Sequence, residues 1–159
     1  MKVLGLFEIG GVIMAKNAVG FDITLDEKCD IFGCMFKLLS TEYQFDSASA
    51  VKTIMTDKKL YWLFPNVNNQ DWCDERFMLS QILARVHFTK GKVASDYTMW
   101  FLGYLYAYWI ITRGSTREEV YEILPFERFM ASYEFYHTQG WEYIIDDAIK
   151  TYKLGNYII

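Results

Sequence analysis

Only two prolines, Pro65 and Pro125, interrupt the 159 residues of this chain, so long stretches are free to be helical. Histidine is equally scarce, with His87 and His137 alone, which leaves few metal ligands and few catalytic bases. The three cysteines (Cys29, Cys34 and Cys73) are an odd count without framework spacing, and this argues against a disulfide-stapled secreted scaffold. Cys29 and Cys34 stand five apart, neither a redox pair nor half of a zinc knuckle. They read as small buried hydrophobes in a reducing cytoplasm. Positive charge is not in excess. The net charge of −4 excludes nonspecific attraction to nucleic acid or to an anionic membrane. Long apolar runs are also missing: Met99 to Ile111 carries no charge for thirteen residues, too short to span a hydrocarbon layer about 30 Å thick. With Gly103 and the rings of Tyr104, Tyr106, Tyr108 and Trp109, that stretch reads as a central buried helix. The opening Met1 to Glu8 has one basic residue, Lys2, and an apolar run broken by Glu8, which makes a poor signal peptide.

What the chain does have is hydrophobic mass and rings. Hydrophobic residues make up 52% and charged residues 23%, enough for a real core in one domain or two very small ones. Twelve Phe, 12 Tyr and 5 Trp exceed what a small core needs and match the composition of interface patches. The pattern predicts an all-α, compact helical bundle with a short N-terminal β arm. In the arm, residues 1–23, Val12-Ile13-Met14 and Val19 to Ile23 flank Lys16-Asn17 as a short hairpin. Met14 opens a plausible start of its own, so residues 1–13 are expected to be a loosely held arm or to precede the native chain.

From Thr24 the signals are helical. Thr24 to Glu27 is a capping box, followed by Phe32, Phe36, Leu39 and Tyr43 at helical spacing. Ser47 is the expected cap of a second helix holding Val51, Ile54 and Met55. A third helix is expected from about Asp71, ending before Gly91. Ser95 caps the central helix, which stops at Arg113-Gly114, and Ser115 to Glu118 forms another capping box. Helices over Phe126–His137 and Trp141–Tyr152 complete the chain. The halves match weakly: Phe32-Gly33 with Leu102-Gly103 at an offset of 70, and Ser47, Val51 and Ile54 with Thr116, Val120 and Ile123 at 69. Gln70-Asp71-Trp72 and Gln139-Gly140-Trp141 share the second register. These matches predict two diverged copies of one helical unit, residues 24–94 and 95–159.

Residues 97–153 carry a more specific string. It runs from Ser115-Thr116-Arg117-Glu118-Glu119-Val120-Tyr121 through Tyr133 and His137-Thr138-Gln139-Gly140 to Tyr143-Ile144-Ile145-Asp146-Asp147. This resembles a family of short helical bacterial proteins of unknown function whose genes sit beside those of ADP-ribosyltransferase-like toxins. The resemblance implies an antitoxin role. The residues alone give the string a structural account. Gly140 would close the preceding helix in a left-handed conformation, Thr138 would offer its hydroxyl to backbone donors, and His137 would bond a carbonyl or carboxylate. Ile144, Ile145, Ala148 and Ile149 would form the buried stripe, leaving Asp146 and Asp147 with the motif.

Catalytic signatures are thin. Glu134 and His137 make one Glu-x-x-His, but Ala84 stands three before His87, so a di-iron ligand set is incomplete. No nucleophile elbow and no phosphate loop occur. The expectation is a protein without catalytic residues, metal or cofactor. Charge says more: eight acids between Arg117 and Asp147 face only Arg117 and Arg128. Glu118, Glu119, Glu122 and Glu127 would form an acidic dock for a basic protein, and Tyr61, Trp62 and Phe64 an exposed aromatic cluster. The leading expectation is a cytoplasmic, non-catalytic antitoxin or immunity protein that masks a toxin. The alternative is a phage- or mobile-element-encoded inhibitor of a bacterial defence nuclease, anti-CRISPR-like. A small metal-dependent or hydrolytic enzyme ranks last. Partners are thus a protein, with no direct nucleic acid and no membrane, and the exposed rings favour a homodimer.

Overall fold

The computed structural model describes residues 23–64 and 74–154. The proposed N-terminal hairpin, the Pro65–Asn69 loop, Trp72 and Cys73 lie outside the described residues. Seven α-helices are present among the described residues, without a strand: α1 (Leu25–Thr41), α2 (Ser47–Thr56), α3 (Glu75–Leu83), α4 (Asp96–Arg113), α5 (Arg117–Ile123), α6 (Phe126–Tyr136) and α7 (Trp141–Ala148), the last running into a π-helical turn, Ile149–Leu154. The described residues form an all-α bundle, as the hydrophobic periodicity requires.

Helix starts follow side-chain caps. Thr24 and Glu27 satisfy each other's backbone donors at 3.1 and 3.2 Å. Ser95 accepts from the Thr98 N–H. Three starts differ from the sequence reading. The second helix is capped by Asp46, whose carboxylate accepts from the Ser49 N–H at 3.1 Å. Ser47 is instead buried as the first helical residue, its hydroxyl accepting from the Ala94 N–H at 2.8 Å. The later capping box sits one residue on, between Thr116 and Glu119 (3.0 and 2.8 Å), because Glu119 and not Glu118 occupies the third helical position. Asp74 caps α3, which ends at Leu83, well before Gly91. The intervening residues leave the helix because they are tied to the segment after α1. Phe45 bridges Lys90, and the Asp46 and Ser47 N–H groups donate to Thr89 and Lys92 carbonyls at 2.8 and 2.9 Å.

The core is one cluster drawn from both halves, with Trp109, Tyr106, Tyr136, Phe32, Phe36 and Phe129 fully buried. Its centre is the antiparallel pair α1 and α4. Gly33 and Gly103, the glycines that the 70-residue offset matches, meet at their crossing. A Cβ on Gly33 would stand 2.8 Å from the Trp100 carbonyl, and one on Gly103 2.7 Å from the Phe32 carbonyl. Only glycine lets the backbones approach this closely. α2 packs on α5, and Arg117 at the start of α5 is buried there (5% exposed). Its guanidinium donates to the Ile54 carbonyl and, at 3.3 Å, to that of Asp57. It thereby closes the carbonyl end of α2. α4 stops where Gly114 takes a left-handed conformation (φ 68°).

Candidate protein-binding surface

The acids and aromatic rings fall into two groups with different surroundings. Along α1, α4 and α7 they satisfy one another. Tyr104 donates to Asp26 at 2.5 Å and the Trp100 indole to Asp30 at 2.8 Å, while Tyr108 donates to Glu142 at 2.8 Å. Tyr136 donates to Asp147 at 2.8 Å. Arg113 clamps both Glu142 (2.6 Å) and Asp146 (3.0 Å). The hydrogen bond from Arg113 and then that from Tyr108 hold the Glu142 carboxyl below its usual pKa. Three of the eight acids counted on the acidic segment therefore have partners within the chain, Glu142 and Asp146 in ion pairs at its surface and Asp147 on Tyr136.

The acids of α5 and α6 divide further. The Glu119 carboxylate is the return half of a capping box, and Glu118 stands 3.8 Å from the Arg117 guanidinium. Glu122, Glu127 and Glu134 are exposed and have no ionic partner among the described residues. Beside them α6 is the least covered long helix, with only Phe129 and Tyr136 buried. Met130 (39% exposed) and Phe135 (49%) point outward, and Phe135 meets Tyr143 (48%) of α7 edge-on at 5.9 Å. Sequence reading missed Met130, Phe135 and Tyr143. The signal was available: Phe126, Phe129, Tyr133 and Tyr136 share one side of α6, so Phe135 must lie opposite the core.

The Tyr61, Trp62 and Phe64 cluster does not hold together as an exposed patch. Tyr61 is 75% exposed. Phe64, with a left-handed backbone (φ 59°), turns its ring onto Phe32 at 4.9 Å, and Trp62 is half-buried under the Arg85 guanidinium at 5.3 Å. The cluster breaks because Leu60 and Leu63 anchor the segment into the core between them.

The His137–Gly140 corner is built differently from the expectation. Gly140 is extended (φ −76°, ψ 156°) and is the N-cap of α7 rather than a left-handed stop; the left-handed stop in this half is Gly114. Thr138 donates its hydroxyl to the Phe135 carbonyl at 2.8 Å and accepts from the Gln139 amide at 3.0 Å. It serves a carbonyl and not the backbone donors that were expected. The chain leaves α6 through His137 in a right-handed conformation, so the free groups at this corner are carbonyls. His137 places Nδ1 2.9 Å from the Tyr133 carbonyl and stacks on the Tyr133 ring at 5.1 Å.

Clefts on the surface include two lined by described residues. One, of about 430 Å³, lies between α1 and α4 and is lined by Asp30, Cys34, Lys37, Asp96, Tyr97 and Trp100. Burial, then the Asp30 charge, pushes the Cys34 thiol up to about 11, so it stays protonated and is a poor nucleophile. The other, of about 460 Å³, lies between Asp46–Ala48, Lys92–Ala94 and the α6 residues Phe126, Glu127 and Met130. Among the described residues no group of three His, Cys, Asp or Glu side chains could hold a metal ion. None of the described helices is long and apolar enough to cross a membrane. Compared with protein-family models, curated proteins and solved structures, the chain matches none.

Proposed function

We propose that this protein acts by binding and masking a partner protein, as an antitoxin or immunity protein does, through the outward face of α6 and the acids that flank it. The observation that carries the reading is the contrast on α6. A helix with two buried residues out of eleven presents Met130 and Phe135 to solvent together with Glu127 and Glu134, two exposed acids without an ionic partner among the described residues. Exposed apolar side chains interleaved with acids give a partner both area to bury and, where that partner is basic, charge that steers it onto the helix. The likeness of residues 97–153 to proteins encoded beside ADP-ribosyltransferase-like toxins supports a toxin as that partner.

The test is capture of partners by the tagged protein from its native host, run beside a Glu122→Lys/Glu127→Lys variant. Both positions are exposed, and neither side chain makes a hydrogen bond or ion pair among the described residues. A small stoichiometric protein whose toxicity is relieved by co-expression, and which the variant releases, is the expected result. Retention of the same partner by the variant with unchanged affinity removes the acidic face. A nuclease or its guide complex in place of a toxin moves the reading to inhibition of a defence enzyme.

A further inference from the structure

We infer that the cleft between Lys92–Ala94 and α6 receives an extended, apolar segment of a partner protein carrying a basic residue. This rests on the binding role proposed for α6 and specifies what that face takes.

Three observations point to such an occupant. The cleft is lined by Ala48, Val93, Ala94, Phe126 and Met130, and Val93 and Met130 remain 43% and 39% exposed at its edge. Apolar side chains would be removed from water on both walls. One wall is not a helix. It is the segment before α4, held to the chain after α1 through Thr89, Lys92 and Ala94. The backbone N–H and C=O groups of Val93 make no hydrogen bond among the described residues. A partner helix would bring a backbone already satisfied within itself, whereas an extended segment brings the donors and acceptors that such a wall can pair.

The third observation is charge. Asp46 and Glu127 line the cleft against one cation, Lys92. The Asp46 carboxylate accepts from the Ser49 and Lys92 N–H groups, which hold its pKa down and keep it ionised. Glu127 is unengaged and lies on the same side of α6 as Glu134, two turns away. The excess acid selects a lysine or arginine on the incoming segment and rejects an acidic one.

The experiment is selection of a random dodecapeptide phage library on the immobilised full chain, with affinities of enriched peptides read by fluorescence anisotropy. Enriched sequences should alternate apolar residues and include a lysine or arginine. Met130→Glu and Glu127→Lys should each weaken their binding about tenfold or more, and Val93→Pro, which deletes one N–H, should weaken it where Val93→Ala does not. These positions are exposed, and circular dichroism melts verify that each variant is folded. An acidic consensus, equal binding to the Met130→Glu variant, or no enrichment over it overturns the inference. Val93→Pro binding as tightly as wild type overturns the backbone pairing. Capture of a toxin by wild type with no such peptide selected sinks the extended-segment inference alone. Loss of both sinks the α6 reading with it.

Discussion

The seam between α1 and α4 and the outer face of α6 are made of the same kinds of residue and behave oppositely. In the seam, Asp26 and Asp30 accept from Tyr104 and Trp100, and the rings stack onward, Tyr104 on Trp141 at 4.5 Å. On α6, Glu127, Glu134, Met130 and Phe135 meet solvent. The difference lies in what stands opposite. The two glycines at the α1–α4 crossing bring the helices close enough for each ring's polar tip to reach a carboxylate on its neighbour. On α6, Met130 and Phe135 stay exposed, with the Tyr143 ring of α7 edge-on against Phe135. A buried ring with a satisfied N–H or O–H stabilises the fold, whereas the same ring in water beside an unpaired acid is free to bind something else. Composition alone does not separate these outcomes.

The sharpest way to break the seam is Gly103→Val. Its Cβ would stand 2.7 Å from the Phe32 carbonyl and 2.9 Å from the Gly33 Cα, both backbone atoms, so the helices must part. A loss of about 1–3 kcal/mol is expected, checked by chemical denaturation. Stability within 0.5 kcal/mol of wild type would mean that the close crossing is absent. The Glu122→Lys/Glu127→Lys variant on α6 should by contrast stay within about 0.5 kcal/mol of wild type.

Acid is the next probe, because taking the charge off a carboxylate that is bonded in the folded state costs folding stability. Glu42 and Glu142 have lowered pKa values, chiefly through hydrogen bonds from Arg76 and Arg113, and Asp46 through the Ser49 N–H. A carboxyl with a lower pKa folded than unfolded contributes stability above its unfolded value, and that contribution is lost as pH falls through the folded one. Melting temperature should therefore be steady above the ordinary carboxylate range and fall below it. Replacing Arg113 with Met should flatten part of that fall, and an unchanged acid profile would show that the Arg113 clamp does not form.

The smallest effect has the most informative sign. Gly140→Ser should raise stability by about 0.5–1 kcal/mol, because an extended N-cap with no side-chain bond gains a hydroxyl acceptor for the first turn of α7. Nothing lies within 4 Å of the added Cβ. A left-handed Gly140 would make the same change destabilising, so a rise or fall in melting temperature decides between the two conformations.

Much of the fold was legible in the residues. Thr24, Ser95, the glycine after Arg113 and the apolar spacing of α1, α4 and α7 act within a turn or two of themselves, and local rules read them directly. The errors arose where distant chain intervenes. Ser47 lost its capping role because Ala94 claims its hydroxyl. Gly140 suits the end of one helix as well as the start of the next, and the structure makes it the start of α7. Of the candidate site, the free acids Glu122 and Glu127 were legible, whereas Met130, Phe135 and the cleft beside Val93 were not. An exposed ring and a buried one look alike until the neighbouring helix is placed.

The sequence by itself determined that this protein is helical, where most of its helices begin, and that it carries rings and acids in excess, because capping, periodicity and composition are local properties. Tertiary structure decided which rings and acids are consumed in holding the helices together and which are left on α6. That outcome depends on the close approach at Gly33 and Gly103 and on the span of a hydrogen bond between chain segments some seventy residues apart.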